Sequence, residues 1–204
     1  MTEQAKLGGL LTTRNMIKIS LLSMIGAVLT MEIFQLVIPI FPIFLKLDMG
    51  DVPTIVGLLT MGPVAAVIIQ ILGIVVKTIV AGTSTGGIGE LANIIIGISY
   101  ILPFGIVYTL VKNPKYKFIA GAITGSIAMA VAGALANLFI LLPLYANWMG
   151  GMDQVVAFAG VLRITDVQSL IVIGIIPFNL VKGAFTSLVG YLVYKSLRPV
   201  LHRI

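Results

Sequence analysis

Apolar segments long enough to cross a lipid bilayer recur along this chain, and they restrict its fold more than any other feature. A helix needs about 20 predominantly apolar residues to cross the hydrocarbon core. Runs of about that length follow one another from Met16 to Tyr194. Hydrophobic residues make up 59% of the chain and charged residues only 10%, and the mean hydropathy is +1.14. The sequence therefore predicts an all-α integral membrane protein.

Glycine and proline divide the apolar sequence into six segments. The run from Thr54 to Ala81 is too long for one span, and Gly62 followed by Pro63 interrupts it. A polar, glycine-rich connection begins with ANWMGGMDQ at residue 146. We expect a single transmembrane domain over residues 1–204, built as a bundle of six transmembrane helices. The approximate spans are 17–38, 53–61, 64–81, 90–111, 118–145 and 167–195.

Basic residues support the break at Gly62. With six spans, the N-terminus, the Gly-Pro turn, KNPKYK at 112–117 and the tail from Lys195 share one side. The positive-inside rule makes that side cytoplasmic. Five spans would put the basic clusters on opposite sides. We therefore expect a multi-pass protein of the cell membrane with both termini cytoplasmic. The proline-rich loop before Thr54, GTSTGG at 82–87 and the loop around Trp148 would lie outside.

Asn179 and Lys182 lie deep in the sixth segment. Lys182 is roughly 20 Å along a helix from either Lys195 or Asp166, so its ammonium cannot reach the membrane surface. Ionisable groups at such depth are costly unless they face a cavity or a partner. Asn179 precedes Lys182 by three residues and projects from the same face. This pattern favours ligand binding. The alternative is a polar clamp between helices, with Asn137 or a carboxylate as the partner.

Further polar residues border the predicted outer side of the bundle. Asn137 in the fifth segment could join the same cavity or form a packing hydrogen bond. Lys77 lies near the end of the third segment, and Glu90 and Asn93 begin the fourth. For Lys77 with Glu90, a salt bridge across a short turn and a direct ligand contact are equally supported. Either arrangement places them at the external mouth.

Small residues form a strip on the first segment. Ser20, Ser23 and Ala27 are spaced so that another helix could approach closely. Packing within this protein is the more common use of such strips. Contact with a second subunit is the sharper hypothesis.

The sequence favours no enzyme. It contains no cysteine, no HExxH and no Walker lysine motif, and its single histidine, His202, is in the tail. We therefore expect no catalytic residues, no metal site and no ATP hydrolysis by this chain. The net charge of +6 is explained by basic residues that flank the spans, so no nucleic-acid partner is expected.

Three blocks of the sequence resemble the riboflavin-specific S components of energy-coupling factor (ECF) transporters. The blocks are KLDMGDVPTIVGLLTMGP at 46–63, GGIGELANIIIGISYILPFGIVY at 86–108 and IPFNLVKGAF at 176–185. The resemblance covers most of the chain from about Lys46 to Tyr194. The GELAN and PFNLVKG blocks distinguish it from S components for other vitamins. It implies six helices around a vitamin pocket that opens to the outside, with both termini cytoplasmic.

The resemblance also implies which residues hold the ligand. The family's pocket asparagines and lysine match Asn137, Asn179 and Lys182, which would hydrogen-bond the polar edges and ribityl hydroxyls of a flavin. The external loop that lies over the family's site matches Lys46, Leu47 and Asp48. No resident cofactor is implied, because riboflavin is the transported ligand. Its phosphate ester, FMN, is a further candidate because lysines 46 and 77 lie at the mouth.

A small-residue motif in the family meets the transmembrane coupling subunit (EcfT), and it corresponds to Ser23 and Ala27. Here a serine replaces the usual alanine. After Lys77 the family often has an asparagine and, farther on, a histidine, whereas this segment has Thr78 and no histidine. The differences after Lys77 leave the contribution of the third segment open.

The implied function is capture of riboflavin outside the cell for ATP-driven uptake. Partner subunits would be EcfT and two cytoplasmic ATPases, which would hydrolyse the ATP. Two alternatives remain at this point. One is an S component for another vitamin, such as thiamine or pantothenate, and the other is a structural membrane subunit whose polar residues only clamp helices.

Overall fold

The computed structural model describes residues 12–161 and 163–201, which fold mainly into helices. Within these ranges there are seven helices: α1 Thr13–Leu29, α2 Val52–Met61, α3 Pro63–Ala81, α4 Ile88–Leu110, α5 Lys117–Met149, α6 Met152–Phe158 and α7, residues 167–201. Between α1 and α2 lie a 3₁₀ turn, Glu32–Phe34, and an antiparallel hairpin of β1, Leu36–Val37, and β2, Lys46–Leu47. The described part of the chain is therefore mainly helical, and this short hairpin is its only sheet.

Four helices in the described part of the chain are long and apolar enough to cross a bilayer: α3, α4, α5 and α7. Helix α2 is apolar but has ten residues, and α1 has 17. The predicted count of six helices differs from the seven observed. The additional helix is α6, which lies in the segment predicted to be a polar connection. It forms because Val155 packs into a buried cluster with Leu142 and Leu170, and such burial overrides weak local propensity.

Helix α1 ends at Leu29, well before the predicted boundary at residue 38. At its end the Thr30 hydroxyl donates to the Gly26 carbonyl at 2.8 Å, and the Gln35 amide donates to the Thr30 carbonyl at 2.9 Å. Met31 is already extended, with a φ of −62° and a ψ of 148°. The apolar residues that follow enter the 3₁₀ turn and the hairpin, so apolar composition alone overestimates the span.

Helices α2 and α3 meet at Gly62, where the sequence predicts a break. The φ of Gly62 is +94°, which is accessible to glycine without a steric penalty. Pro63 is the first residue of α3, a position where its missing N–H has no helical partner to lose. The two helices pack against each other on either side of this residue.

Glycine allows α4 and α5 to pack closely. A Cβ added to Gly121 would lie 2.9 Å from the Phe104 ring, and one on Gly125 would lie 2.9 Å from the Tyr100 carbonyl oxygen. Tyr100 and Phe104 pack edge to face in the buried core with Met129. Small residues at such interfaces let neighbouring helices make extensive van der Waals contact within a membrane.

Both α5 and α7 contain a π-helical stretch. These stretches are Asn137–Leu141 in α5 and Leu170–Ile175 in α7. The wider turn of a π-helix changes which side chains face the interior, and such turns are frequent at functional sites. Asn137 opens the first stretch, and Asn179 follows the second by about one turn.

Candidate functional site

A cavity lies between the hairpin loop and helices α3, α4, α5 and α7. Its volume is about 120 Å³, and a wider outer pocket of about 360 Å³ adjoins it. The predicted ligand-binding residues that line the cavity are Lys46, Asp48, Lys77, Glu90, Asn93, Asn137, Asn179 and Lys182. The fold thus brings together residues from the loop and four helices that are far apart in sequence.

Leu47 does not line the cavity. It is buried in an apolar cluster with Phe41 and Phe178. Successive side chains on a strand point to opposite faces, so Lys46 faces the cavity while Leu47 packs behind it. Phe178 does line the cavity. The role of Leu47 in this structure is to support that wall.

Asn137 and Asn179 present amides to the cavity from α5 and α7. Each donates through Nδ2 to a carbonyl one turn earlier on its own helix, Asn137 to Gly133 at 2.7 Å and Asn179 to Ile175 at 2.9 Å. Both residues are buried. An amide has two N–H donors and an accepting oxygen, so each side chain retains capacity for a further partner.

Lys182 is held by three oxygen atoms on different elements. Its Nζ lies 3.3 Å from Asp48 Oδ2, 3.2 Å from Asp51 Oδ2 and 3.4 Å from Asn93 Oδ1. All three N–H donors of the ammonium therefore have a nearby oxygen. The structure contains the predicted clamp, with carboxylates as partners, and the same lysine also lines the cavity.

The second part of this network was not predicted from the sequence. Gln70 donates through Nε2 to Asp51 Oδ1 at 2.9 Å and to the Asn93 carbonyl at 3.2 Å, while Thr54 donates to Gln70 Oε1 at 2.9 Å. Asp51, Thr54 and Gln70 are all buried. A glutamine in the apolar run of α3 was a signal for such a partner, since isolated polar residues within membrane helices usually face the bundle interior.

Lys77 and Glu90 form the predicted salt bridge at the mouth of the cavity. Lys77 Nζ lies 2.7 Å from Glu90 Oε1, and Thr83 donates to Glu90 Oε2 at 2.8 Å. Both charged residues also line the cavity. Of the two alternatives, the structure shows the salt bridge, and this bridge forms part of the cavity wall.

Glu32 carries a second negative charge at the mouth. A hydrogen bond with Ser84 and the nearby charge of Lys46 hold the pKa of the Glu32 carboxyl below its usual 4.5. Lys46 and Lys77, the two cations predicted at the mouth, are thus each accompanied by a carboxylate. Charges of both signs therefore contribute to the electrostatic potential at the cavity entrance, and this potential is not strongly positive.

Four aromatic side chains, Phe44, Tyr145, Trp148 and Phe158, are among the residues that line the outer pocket. Phe44 stacks on Phe158 with ring centroids 6.4 Å apart, and it also contacts Tyr145 at 6.1 Å. Trp148 also lines this pocket. Helix α6 contributes Phe158, so the helix that the sequence does not predict builds one wall of this pocket. Aromatic faces of this kind suit a flat, apolar ring.

Ser23 and Ala27 face inward. Both are buried, and a Cβ on Gly73 of α3 would lie 3.3 Å from the Ser23 carbonyl oxygen and 3.6 Å from the Ala27 nitrogen. Of the two alternatives for these small residues, the structure shows packing within the protein. The predicted contact with a second subunit would require a surface that these two side chains do not present here.

Residues 82–86 fit the GxSxG spacing of serine hydrolases. In those enzymes the serine lies on a sharp turn between a strand and a helix. Here the segment connects helices α3 and α4, and Ser84 lines the cavity mouth. No histidine that could act as a base occurs in residues 12–161 or 163–201. The match is one of spacing alone.

Comparisons with known proteins give consistent results. The family described as "ECF transporter, substrate-specific component" matches residues 14–194. Riboflavin transporter RibU of Staphylococcus aureus is 36% identical over 193 residues, which is 94% of each chain. Riboflavin transporter FmnP of Bacillus subtilis is 28% identical over 187 residues, which is 91% of this chain and 93% of the relative.

A solved structure shares the fold. It is described as "Structure and mechanism of the S component of a bacterial ECF transporter" and superimposes with a TM-score of 0.73. The two chains are 31% identical, and the match covers 91% of this chain and 96% of the other. The similarity extends over nearly the full length of both chains.

Proposed function

This chain belongs to the family of substrate-specific components of ECF transporters, and we propose that it captures riboflavin for uptake into the cell. It is a substrate-binding membrane subunit and not itself an enzyme. The relatives named as riboflavin transporters match over more than nine-tenths of its length, which supports the same ligand here. Riboflavin is the transported ligand rather than a cofactor.

One observation carries this proposal: an inner cavity with polar side chains adjoins an outer pocket with aromatic side chains. Asn137, Asn179 and Lys182 line the inner cavity, and Phe44 and Trp148 line the outer pocket. Sites for small molecules are usually apolar cavities in which a few polar groups fix orientation. A flavin combines a flat ring with polar edges and a hydroxylated chain, so it is complementary to both parts.

The ligand extends across both parts of the cavity. The inner volume of about 120 Å³ is smaller than the roughly 300–1,000 Å³ of typical small-molecule sites, but the outer pocket adds about 360 Å³. Phe44, Lys46 and Tyr145 line both volumes, so the two spaces adjoin each other. The predicted ligand-binding set, Leu47 excepted, is retained in this proposal.

Riboflavin itself is the favoured ligand over its phosphate ester. A phosphate at the mouth would meet Lys46 and Lys77, but Glu32 and Glu90 accompany these lysines. FMN remains a second candidate because both cations do line the entrance. A comparison of the two affinities decides between them.

The proposal includes a membrane arrangement and partners. The six predicted spans correspond to α1 to α5 and α7, which form a single membrane domain with both termini cytoplasmic; the ten-residue α2 covers only part of the bilayer thickness, and α6 lies at the outer end. The basic residues at 112–117 and Lys195 support this orientation through the positive-inside rule. The partners are the coupling subunit EcfT and two cytoplasmic ATPases, as the family membership implies.

Riboflavin binding by the purified protein tests the function. Flavin fluorescence should be quenched on titration with the wild type, and Asn179→Ala and Lys182→Ala should weaken binding. Leu188→Ala is the matched control, because Leu188 is exposed on the same helix. Thermal melting without ligand shows whether each variant is folded.

The outcomes separate the three functions considered. Tight binding that both pocket variants weaken supports the riboflavin site. If the wild type binds thiamine or pantothenate but no flavin, the substrate is wrong. If Lys182→Ala lowers the melting temperature and no vitamin binds to the wild type, the polar residues serve only as a clamp.

A further inference from the structure

Three buried polar residues lie behind Lys182 without lining the main cavity. They are Asp51 at the start of α2, Thr54 on α2 and Gln70 on α3. Each is at least nine-tenths buried. Burying such groups costs free energy unless they are hydrogen-bonded. A buried polar cluster of this kind therefore indicates a structural or functional role.

The Gln70 side chain fixes the orientation of Asp51. Its Nε2 faces Asp51 Oδ1 and the Asn93 carbonyl, and both of these oxygens can only accept hydrogen bonds. The amide cannot be turned over without placing its own oxygen against them. Thr54 donates to the remaining amide oxygen, which closes the chain. One Asp51 oxygen is therefore held in place, and the other points towards Lys182.

Asp51 Oδ2 has Lys182 Nζ as its partner at 3.2 Å. The angle of this contact does not meet hydrogen-bond geometry, so the interaction is an ion pair. Asp48, the second carboxylate near Lys182, lies on the loop after β2 and accepts from the Gly50 N–H at 2.8 Å. Asp48 lines the main cavity, whereas Asp51 does not. The two acids therefore differ in access to a ligand.

We propose that Asp51, held by Gln70, is a positioning residue that sets the Lys182 ammonium for ligand binding. A lysine has a flexible stem and a compact charge, so its location depends on a fixed partner. Asp51 supplies that partner from a helix end anchored by α3 and remains paired when a ligand occupies the cavity. When a ligand binds, Lys182 leaves its contacts with Asp48 and Asn93 and contacts ligand atoms instead. This inference rests on the proposed function, because the ligand used to test it is riboflavin.

A double-mutant cycle on the full chain tests the proposal. Riboflavin affinity is measured by flavin fluorescence for the wild type, Asp51→Asn, Lys182→Met and the double variant. Asp51→Asn should weaken binding about tenfold when Lys182 is present, since residues in one network are typically coupled. In the Lys182→Met background the same change should alter affinity by less than about twofold. A residue that merely stabilises the fold would weaken binding in both backgrounds alike.

The absorption spectrum of the bound flavin is a second measurement, because it reports charge near the ring. Asp51→Asn should shift this spectrum, and Asp153→Asn, which changes an exposed acid on α6, should not. If Asp51→Asn does not fold, Gln70→Met replaces it in the cycle. That variant leaves Lys182 and both carboxylates in place but removes the Gln70 hydrogen bonds with Asp51 Oδ1, the Asn93 carbonyl and Thr54, and it should weaken binding about threefold.

Two results overturn the proposal while leaving riboflavin binding intact. One is an equal loss of affinity on Asp51→Asn with and without Lys182. The other is an Asp51→Asn protein with wild-type affinity and an unchanged flavin spectrum. Failure of the wild type to bind riboflavin is a different result, and it would refute the proposed function itself.

Discussion

Gly133 on α5 lies so close to Asn179 on α7 that a Cβ on the glycine would come within 2.6 Å of Asn179 Nδ2. The Gly133 carbonyl also accepts the hydrogen bond from Asn137. One glycine thus sets the positions of both cavity asparagines. Glycine is required at residue 133 because Asn179 occupies the adjacent space, and not because the helix itself requires a glycine.

Gly133→Ala should weaken riboflavin binding about tenfold, because the added methyl group displaces the Asn179 amide or separates the two helices. Fluorescence titration measures the loss. Gly121→Ala is the control, since its Cβ would meet the Phe104 ring at 2.9 Å in the α4–α5 packing. That variant should melt at a lower temperature but retain affinity once folded. Wild-type affinity in Gly133→Ala would contradict the role assigned to this contact.

Glu90→Gln should raise affinity for FMN relative to riboflavin. The substitution removes the negative charge 2.7 Å from Lys77, so the lysine becomes available to a phosphate. The ratio of the two dissociation constants, measured at low salt, should change several-fold in favour of FMN. Lys77→Gln should change the ratio in the opposite direction. If neither variant alters the ratio, the mouth does not contact the phosphate.

The depth of Lys182 and Asn179 could be predicted from sequence because it depends only on distance along one apolar segment. The position of Asn137 in the fifth segment left a cavity role and a packing role open, and the family resemblance favoured the cavity, whereas Asp48 was predicted from the resemblance alone. The carboxylate at Asp51 could not be assigned, because it reaches Lys182 only after the loop folds inward and α2 docks. No local pattern around Asp51 distinguishes a buried partner from an ordinary residue at a helix start.

Helix ends could likewise be predicted from the sequence only where they depend on local residues. The break at Gly62 follows from local chemistry, since glycine and proline act on their own backbone. The early end of α1 and the formation of α6 depend on contacts with distant segments. The inward face of Ser23 and Ala27 likewise depends on Gly73, which lies on another helix. Small-residue spacing predicts close packing but does not identify the partner.

Trp148 should report ligand entry. It is the sole tryptophan of the chain and lines the outer pocket beside Phe44 and Tyr145. A flavin in the adjoining cavity absorbs the light that tryptophan emits, so tryptophan fluorescence should fall and reach a plateau at one flavin per chain. In Trp148→Phe this signal should disappear while flavin fluorescence is still quenched. Unchanged tryptophan emission at saturating riboflavin would exclude a ligand close to the outer pocket.

Asp166 should stabilise the start of α7 in a pH-dependent way. It caps the helix by accepting from the Ser169 N–H at 2.6 Å, and the Ser169 hydroxyl receives the Asp166 N–H in return. The hydrogen bonds from Ser169 favour the ionised carboxyl and hold the pKa of Asp166 below its usual 3.8. The stabilisation is therefore complete above that value and is lost as the pH falls through the lowered pKa.

Asp166→Ala should accordingly lower the melting temperature at neutral pH, and its difference from the wild type should shrink as the pH falls below about 3.8. The contribution is screened because Asp166 is exposed, so the shift should be modest. Asp153→Ala, on the exposed face of α6, should show no comparable dependence, since Asp153 caps no helix by a side-chain hydrogen bond within the described residues. A constant difference between wild type and Asp166→Ala across this pH range would mean that the cap acts without its charge. In that case the neutral hydrogen bonds of the Asp166 and Ser169 pair would suffice to begin α7.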